Sequence, residues 1–397
     1  MSQRDVFFRN WQGSTIHILA VGDPAVDVYR ADRPITQAWK QATGMAVDLE
    51  IVAWPDYVGK VFEVLGANDS TYDVVMAPGF FWLPSFASSG WLVPLDSLLE
   101  KLADAWHAYD DADIMPNLRA EMSFGGQRYL LPSFAEVQMI FYRKDWIEEA
   151  GVGPVPIPLP VERFAEIARA LHNPPLRYGT HLKGGTAESF PEWLPFHSAL
   201  GGELFDSDER PVFGGQAGLK SLSFLANLKD VCGPDMAQSD NDSVLHLMRD
   251  GKLGIVNHWS GQAALAAARV HNPQYADRYG YSYFEHPWGS VWSFGVTSAS
   301  QNKLAATAYL LWATNAENDR LQGQHSGSPA RLSTFAAGDD HPWYPALRAA
   351  LEHKRTFPSF VSFSERLGAL YELVHEVLAG TSSVDAALQD AVRKTTP

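Results

Sequence analysis

Large aromatic residues stand where several predicted strands of this chain end. These are Trp54, Phe80, Phe81, Trp259, Trp288 and Trp292. Ligands of α/β proteins bind at strand ends, and the flat, rigid face of a tryptophan suits the apolar face of a sugar ring. Nearby carboxylates and arginines can hydrogen-bond the hydroxyl groups of such a ligand. Each aromatic residue taken singly could equally fill a core, but together they predict a binding site for a sugar-like molecule.

The sequence contains none of the short motifs that identify common enzyme sites. A phosphate-binding Gly-x-x-x-x-Gly-Lys-Ser/Thr loop, a dinucleotide-binding Gly-x-Gly-x-x-Gly, a His-Glu-x-x-His motif and a Gly-x-Ser-x-Gly elbow are all absent. The 13 histidines are scattered without metal-ligand spacing. The paired carboxyl groups of a glycosidase must lie about 5–9.5 Å apart in space, which sequence spacing does not test. We therefore expect no enzyme, no metal site and no cofactor.

Length and composition are those of a globular chain of two or three domains. It has 397 residues, of which 46% are hydrophobic, and a domain holds roughly 100–200 residues. The 46 acidic and 31 basic residues give a net charge of −15, which disfavours nucleic acids and anionic membrane surfaces as partners. Cys232 is the single cysteine, so an intramolecular disulfide is excluded. The first residues lack the apolar segment of a signal peptide, which leaves a cytosolic location or a removed signal peptide open.

The first part of the chain alternates predicted strands and helices. Residues 15–21, 47–52 and 72–76 have the patterns of strands, and residues 35–43 and 57–65 have those of helices. This order indicates βαβ units and a mostly parallel sheet flanked by helices.

Residues 74–95 carry no charge, which superficially suggests a membrane span. Pro78, Pro84 and Pro94 make one continuous lipid-facing helix implausible, because proline breaks the hydrogen-bond ladder of a helix. We expect a buried strand, a loop and a packed helix instead.

The same alternation continues to the end of the chain. Strands are predicted over residues 139–142, 178–182, 253–257, 281–284 and 293–297. Helices are predicted over residues 161–172, 216–231, 262–270 and 303–318, and a helical tail begins near Phe363. The fold class is therefore α/β.

Several short motifs follow one another in a recognisable order. They are Gly22-Asp23, Thr43-Gly-Met-Ala-Val47, Trp54-Pro-Asp-Tyr-Val-Gly-Lys60, Tyr72-Asp-Val-Val-Met-Ala-Pro78, Phe86-Ala-Ser-Ser-Gly-Trp-Leu-Val-Pro-Leu-Asp96, Gly126-Gln-Arg-Tyr-Leu-Leu-Pro132, Ile140-Phe-Tyr-Arg-Lys-Asp145, Gly251-Lys-Leu-Gly-Ile-Val-Asn-His-Trp259 and Phe294-Gly-Val-Thr-Ser-Ala-Ser-Gln-Asn-Lys303. Over about residues 15–394 the chain resembles the family 1 extracellular solute-binding proteins of ABC sugar importers, the group that contains the maltodextrin-binding proteins. The resemblance implies two α/β lobes with the ligand cleft between them.

The resemblance also implies roles for individual residues. Glu136 falls where maltodextrin binders place a sugar-binding glutamate at a domain crossover, and a solvated loop glutamate is the alternative. Glu188 and Phe190 match a sugar-binding glutamate followed by an aromatic residue. Trp259 matches a sugar-stacking tryptophan, and Asp23 a hydroxyl-binding aspartate for which turn capping is the alternative.

Other positions separate the chain from the maltodextrin pattern. Residues 77–81 lack the tryptophan expected after the third strand, and Leu367 stands roughly where a stacking tryptophan is expected. Both differences favour a ligand other than maltodextrin. Arg355 resembles an arginine that other members use on an acidic or hydroxyl-rich ligand, with a surface arginine as the alternative.

Together these inferences define the expected organisation and function. One lobe comprises residues 14–133 and 288–332, and the other residues 134–287 with the helical tail 333–397. The predicted ligand-binding residues are Asp23, Trp54, Phe80, Glu136, Glu188, Phe190, Trp259, Trp288, Gly289 and Arg355. We expect hinge closure around a sugar, small oligosaccharide or polyol, followed by delivery to the permease subunits of an ABC transporter.

Location and assembly complete the expectation. We expect a periplasmic monomer whose signal peptide has been removed, without a nucleic-acid partner. A periplasmic sugar receptor for signalling or chemotaxis is one alternative, and a carbohydrate-active enzyme using Glu136 and Glu188 is another.

Overall fold

The computed structural model describes residues 11, 13–269, 271–337, 341–356 and 359–397. Strands lie at Thr15–Val21 (β1), Ala46–Val52 (β2), Val74–Pro78 (β3), Ser123–Phe124 (β4), Gln127–Arg128 (β5), Leu130–Arg143 (β6), Ile255–Trp259 (β7), Tyr279–Ser282 (β8) and Gly289–Val296 (β9). Helices up to β6 are Pro34–Thr43 (α1), Trp54–Gly66 (α2), Gly79–Ser88 (α3), Asp96–Lys101 (α4), Ala103–Tyr109 (α5) and Pro116–Ala120 (α6). Those between β6 and β9 are Lys144–Ala150 (α7), Val161–Leu171 (α8), Ser189–Ala199 (α9), Gln216–Leu228 (α10), Asn241–Arg249 (α11) and Ala263–Ala267 (α12). After β9 come Lys303–Ala313 (α13), Ala316–Ser326 (α14), Leu332–Ala336 (α15), Tyr344–His353 (α16), Phe363–Ala379 (α17) and Val384–Thr395 (α18).

The chain forms two compact units, each built from two segments. Unit 1 comprises Met1–Glu136 and Ser290–Asp340, and unit 2 comprises Val137–Gly289 and His341–Pro397. The chain passes from unit 1 to unit 2 within β6 and returns at the start of β9.

The sheet of unit 1 has the strand order β2-β1-β3-β9. β1 is parallel to both β2 and β3, and β9 runs antiparallel to β3. All five residues of β3 are buried, which explains its continuous apolar sequence. Because the carboxyl ends of parallel strands meet at one edge, the segments that follow β1, β2 and β3 come together there.

One glycine is required at this edge. Gly79 opens α3 directly after β3, and a β-carbon on it would lie 2.2 Å from the backbone oxygen of Glu121. A larger residue would push apart α3 and the segment that follows α6.

Unit 2 is built around the second half of β6. β7 and β8 both pair with it in antiparallel register, for example Gln138 with Trp259 and Ile140 with Ser282. The helical tail closes the unit, since α17 packs against α9 and α18 packs against α17 and α10. Trp193 of α9 is fully buried in this helical layer.

Most of the predicted strands and helices are confirmed within a few residues, but two are wrong. Residues 178–182 form no strand, because their backbone bonds go to separate partners: Tyr178 N–H donates to Lys252 O at 2.8 Å, and Thr180 N–H to Val231 O at 3.1 Å. The single helix predicted over residues 303–318 is two helices. Asn315 starts the second one, since its Oδ1 accepts from Asn318 N–H at 2.9 Å.

The charge-free segment 74–95 is a strand that runs directly into a helix. β3 ends at Pro78 and α3 begins at Gly79, so the predicted loop between them is absent from the structure. In the part of the chain that the structure describes, no helix combines the length and the apolar character needed to cross a membrane. The predicted helix over residues 262–270 is seen as α12, and its last residue, Val270, lies outside the described residues.

Candidate functional site

Asp23 follows β1 at the carboxyl edge of the unit 1 sheet. Its Oδ1 accepts from Ala25 N–H at 2.8 Å and so caps the 3₁₀ helix Pro24–Tyr29. Burial raises the pKa of Asp23 to about 6; the Ala25 hydrogen bond opposes this effect, and the charge of Asp27 adds to it. The capping role considered for Asp23 is thus present, while a role toward a ligand hydroxyl stays a prediction.

A group of aromatic rings lies at the same edge of unit 1. Trp54 begins α2 and stacks on Trp82, with ring centroids 6.0 Å apart and an angle of 14°. The ring of Trp292 stands edge-on to Trp54 at 5.7 Å and 87°, and Trp292 pairs with Pro78 at the end of β3. Trp54 and Trp292 are half-buried while Trp82 is buried. The two half-buried indoles form a corner that a flat apolar surface could occupy.

The remaining predicted residues of unit 1 are buried. Phe80 and Phe81 lie in the first turn of α3 with ring centroids 5.0 Å apart. Glu136 is the last residue of unit 1 and is only 6% exposed within β6. It is therefore a strand residue and not a solvated loop glutamate.

In unit 2, Trp259 ends β7 and pairs with Gln138. Its indole meets that of Trp288 at 5.2 Å between ring centroids and 63° between planes. Trp259 is half-buried, whereas Trp288 is 1% exposed and its backbone oxygen accepts from Gln138 N–H at 2.9 Å. Gly289, buried like Trp288, begins β9. Trp259 thus presents part of its ring, and Trp288 supports it from within.

Glu188 precedes α9 and lies beside Trp259. Its Oε1 accepts from Asn241 Nδ2 at 2.7 Å, and the Trp259 side chain hydrogen-bonds the same carboxyl group. Burial raises the pKa of Glu188 to about 8, with Glu192 and Asp240 adding to the rise and Lys183 opposing it. A carboxyl group and an indole ring therefore occur together, and such a pair can bind a hydroxyl-bearing ring or chain.

Phe190 and Arg355 have other surroundings in unit 2. Phe190 is fully buried against Tyr371 and Trp193, with ring centroids 5.6 and 6.4 Å away, which are the contacts of a packing residue. Arg355 donates to Gly202 O at 2.9 Å and pairs with Glu203. It lines a surface pocket of about 560 Å³ together with Gly201, His286, His353, Lys354 and Thr356.

Sequence reasoning missed the charged partners of this site. Lys183 and Glu192 form a buried ion pair with Nζ and Oε2 2.5 Å apart, and Asn241 binds Glu188. The signal that was available is a lysine between an apolar residue and two glycines in His181-Leu-Lys-Gly-Gly185. Trp82 was also missed, because it lies inside the charge-free segment and not at a strand end.

Residues 25–320 match the family described as bacterial extracellular solute-binding protein. This match spans most of the chain, and the chain belongs to that family. Its members are binding proteins, which confirms the prediction that the chain is not an enzyme. The resemblance found in the sequence is thereby also confirmed.

Three similar proteins define the class further. A probable amino-acid ABC transporter periplasmic-binding protein of Sinorhizobium fredii is 25% identical over 397 residues, covering 96% of this chain and 88% of that protein. A mannitol-binding protein of Pseudomonas aeruginosa is 26% identical over 355 residues, covering 80% and 78%. A solute-binding protein of an ABC transporter from Agrobacterium radiobacter, solved in complex with ribitol, has a TM-score of 0.87 and 21% identity over 97% of this chain and 98% of that one. These likenesses confirm the predicted α/β periplasmic-binding-protein fold and the predicted role as the solute-binding protein of an ABC importer.

Proposed function

We propose that this solute-binding protein captures an uncharged polyol or small sugar and passes it to the permease subunits of an ABC importer. The observation that carries the proposal is the pairing of half-buried Trp259 with the carboxyl group of Glu188 at the end of β7. An indole face binds the apolar side of a carbon chain or ring, and the polar groups beside it bind hydroxyls. The mannitol-binding relative supports this ligand class.

The capture mechanism that we propose is closure of two lobes. Units 1 and 2 would be these lobes, and the ligand would touch both. A ligand that contacts both lobes favours the closed state by its differential affinity for that state. Asp23, Trp54, Phe80 and Glu136 would then contribute from unit 1, and Glu188, Trp259, Gly289 and Arg355 from unit 2. The buried rings of Phe190 and Trp288 would support these residues from behind.

The remaining features of the proposal concern location and partners. The protein would act as a monomer in the periplasm after removal of a signal peptide, without a nucleic-acid partner. A role as a periplasmic sugar receptor for signalling is the alternative. Genes for a permease and an ATPase beside the gene of this protein favour import, and their absence favours the receptor.

A thermal-shift screen tests the ligand class. The panel contains D-mannitol, ribitol and other polyols, neutral sugars, sugar acids and amino acids. A true ligand at 100 times its Kd should stabilise the protein by about 2.7 kcal/mol. Stabilisation by polyols or neutral sugars supports the proposal, whereas stabilisation by amino acids alone would replace it with the class named for the Sinorhizobium fredii relative.

Small-angle X-ray scattering tests the closure. The radius of gyration should decrease on addition of the ligand found in the screen, while the far-UV circular dichroism stays unchanged, because hinge motion moves units without altering their secondary structure. A constant radius of gyration at saturating ligand would contradict closure but leave the ligand class standing.

A further inference from the structure

A buried group of charged side chains lies beside Trp259 in unit 2. Lys183 and Glu192 are fully buried, and Glu188 is 4% exposed. The ammonium group of Lys183 is 2.5 Å from Glu192 Oε2 and donates to Asn257 O at 3.3 Å. The positive charge of Lys183 is therefore already matched by Glu192.

Glu188 is the second carboxyl group that faces this one lysine. Asp240, at the start of α11, adds a further negative charge, while the groups that bind Glu188 directly, Asn241 and Trp259, are neutral donors. A buried carboxylate without its own cation is costly, and such a group keeps its proton instead.

The side chains that other elements place around Glu188 do not change this balance of one lysine against several carboxyl groups. The phenol of Tyr371, on α17, is buried, and that burial raises its pKa. The imidazole of His375, also on α17, lies 2.7 Å from Gly184 O. Lys183 thus remains the cation paired with Glu192, and Glu188 faces it as the surplus acid.

We propose, on the basis of the proposed function, that Glu188 binds the polyol as a neutral carboxylic acid and donates a hydrogen bond to a ligand oxygen. The Lys183–Glu192 pair positions the side chain of Glu188 for this contact. The hydrogen bonds to Glu188 fix its orientation beside Trp259. The ion pair holds α9, which Glu188 precedes, against β7, because Lys183 also binds the backbone of Asn257. A pKa of about 8 for Glu188 agrees with a protonated group at pH 7.

The first experiment measures the proton on Glu188 without any ligand. The folded pKa of Glu188 is raised above its ordinary value of 4.5, so its contribution to stability is present below pH 4.5 and is lost as the pH rises through 8. Denaturant unfolding of wild type and Glu188→Gln is compared from pH 5 to 9. The folding equilibrium constant of wild type, relative to that of Glu188→Gln, should fall at least about tenfold over this range. Glu162→Gln, at an exposed glutamate of the same unit, should follow wild type.

The second experiment separates positioning from mere support of the fold. Lys183→Met removes the positive charge that favours ionised Glu188. The pH midpoint of the stability loss caused by Glu188 should therefore move up. Glu192→Gln removes a negative charge, so the midpoint should move down. A purely structural pair would lower stability in both variants without moving the midpoint. If Lys183→Met does not fold, Glu192→Gln still shows the direction in which the pH midpoint moves.

The third experiment uses D-mannitol as the probe. Its affinity for wild type should fall as the pH rises from 6 to 9, whereas Glu188→Gln, whose amide also donates, should bind more tightly than Glu188→Ala and show no pH dependence over this range. An affinity that rises with pH, or a Glu188→Gln variant as weak as Glu188→Ala, would overturn the inference. If D-mannitol fails to bind at any pH, the proposed ligand class is in question, and the two ligand-free experiments still decide the state of Glu188.

Discussion

The indole of Trp259 stands edge-to-face on the indole of Trp288, with 5.2 Å between their ring centroids. The inner ring is 1% exposed and the outer ring is half-buried. One tryptophan therefore serves mainly to support the other, and the two should respond differently to truncation.

Trp259→Ala should weaken binding more than folding. Loss of stacking on an apolar ligand face should cost about 1–3 kcal/mol of binding free energy, or roughly 5- to 150-fold in Kd. Trp288→Ala should instead lower the free energy of unfolding by about 3–5 kcal/mol, because it truncates a fully buried tryptophan. Calorimetry with D-mannitol and denaturant unfolding measure the two quantities.

Trp106→Ala is the matched control for Trp259→Ala, because Trp106 is also partly exposed but stacks on Tyr109 in α5 of unit 1. It should leave the affinity unchanged. A Trp259→Ala variant with wild-type affinity and a strongly lowered unfolding midpoint would make Trp259 a core residue and remove it from the site.

Two substitutions, Asp23→Asn and Asp23→Ala, should distinguish the capping hydrogen bond of Asp23 from the effect of its charge on stability. Asparagine keeps an oxygen for the Ala25 amide, whereas alanine loses it and should cost about 0.5–2 kcal/mol of folding free energy. The folded pKa of Asp23 is raised from 3.8 to about 6. Its contribution to stability is thus present below pH 3.8 and is lost as the pH rises through 6.

Asp23→Asn should therefore gain stability relative to wild type between pH 4 and pH 7, as measured by urea unfolding at both values. Equal pH profiles for the two proteins would show that the carboxyl of Asp23 is as well solvated in the folded state as in the unfolded state.

The sequence predicts the positions of elements better than the partners of side chains. The apolar run of β3 and the alternation in β2 each depend on local residues, so these strands could be placed from the sequence. The strand predicted at 178–182 failed because its backbone bonds go to two different segments, at Lys252 and Val231, and the local residue pattern does not show this. The same reason hides the ion pair of Lys183 with Glu192 and the contact of Glu188 with Asn241. Residue types alone do not show which charges a fold brings together.

Buried histidines should make the protein less stable in acid. His197 packs on Trp193 with ring centroids 4.3 Å apart, and its Nδ1 lies 3.1 Å from Ser221 Oγ. Burial lowers the pKa of His197 to about 3 and that of His181 to about 4. Folding favours the neutral form of these two histidines. Their contribution to the free energy of unfolding is therefore complete above pH 6.5 and is lost as the pH falls below 6.5.

The loss should approach about 1.4 kcal/mol per pH unit for each such histidine. Urea unfolding at pH 7 and pH 5 should show a smaller acid loss for His197→Gln than for wild type. His353→Gln, at an exposed histidine of α16, is the control and should match wild type. If His197→Gln and wild type lose the same free energy, His197 binds its proton over the same pH range in the folded and unfolded states, and the lowered pKa is contradicted.

Arg331 should be the least replaceable cation of unit 1. It is fully buried, its Nε and one terminal nitrogen donate to Thr314 O at 3.1 and 3.0 Å, and its other terminal nitrogen donates to Asp110 O at 3.0 Å. Its guanidinium also lies over the ring of Tyr109, 4.3 Å from the centroid. The planar guanidinium group thus connects the end of α13 to the loop after α5 through hydrogen bonds.

Arg331→Lys keeps the charge but loses the planar set of donors, so the backbone oxygens of Thr314 and Asp110 lose hydrogen bonds. The free energy of unfolding should fall by about 2–4 kcal/mol, since an unsatisfied buried polar group costs about 1–3 kcal/mol. Arg348→Lys, on the exposed face of α16 beside Glu352, should change the free energy by less than about 0.5 kcal/mol. Denaturant unfolding of both variants at pH 7 measures the contrast, and equal small changes would show that lysine satisfies the same carbonyls.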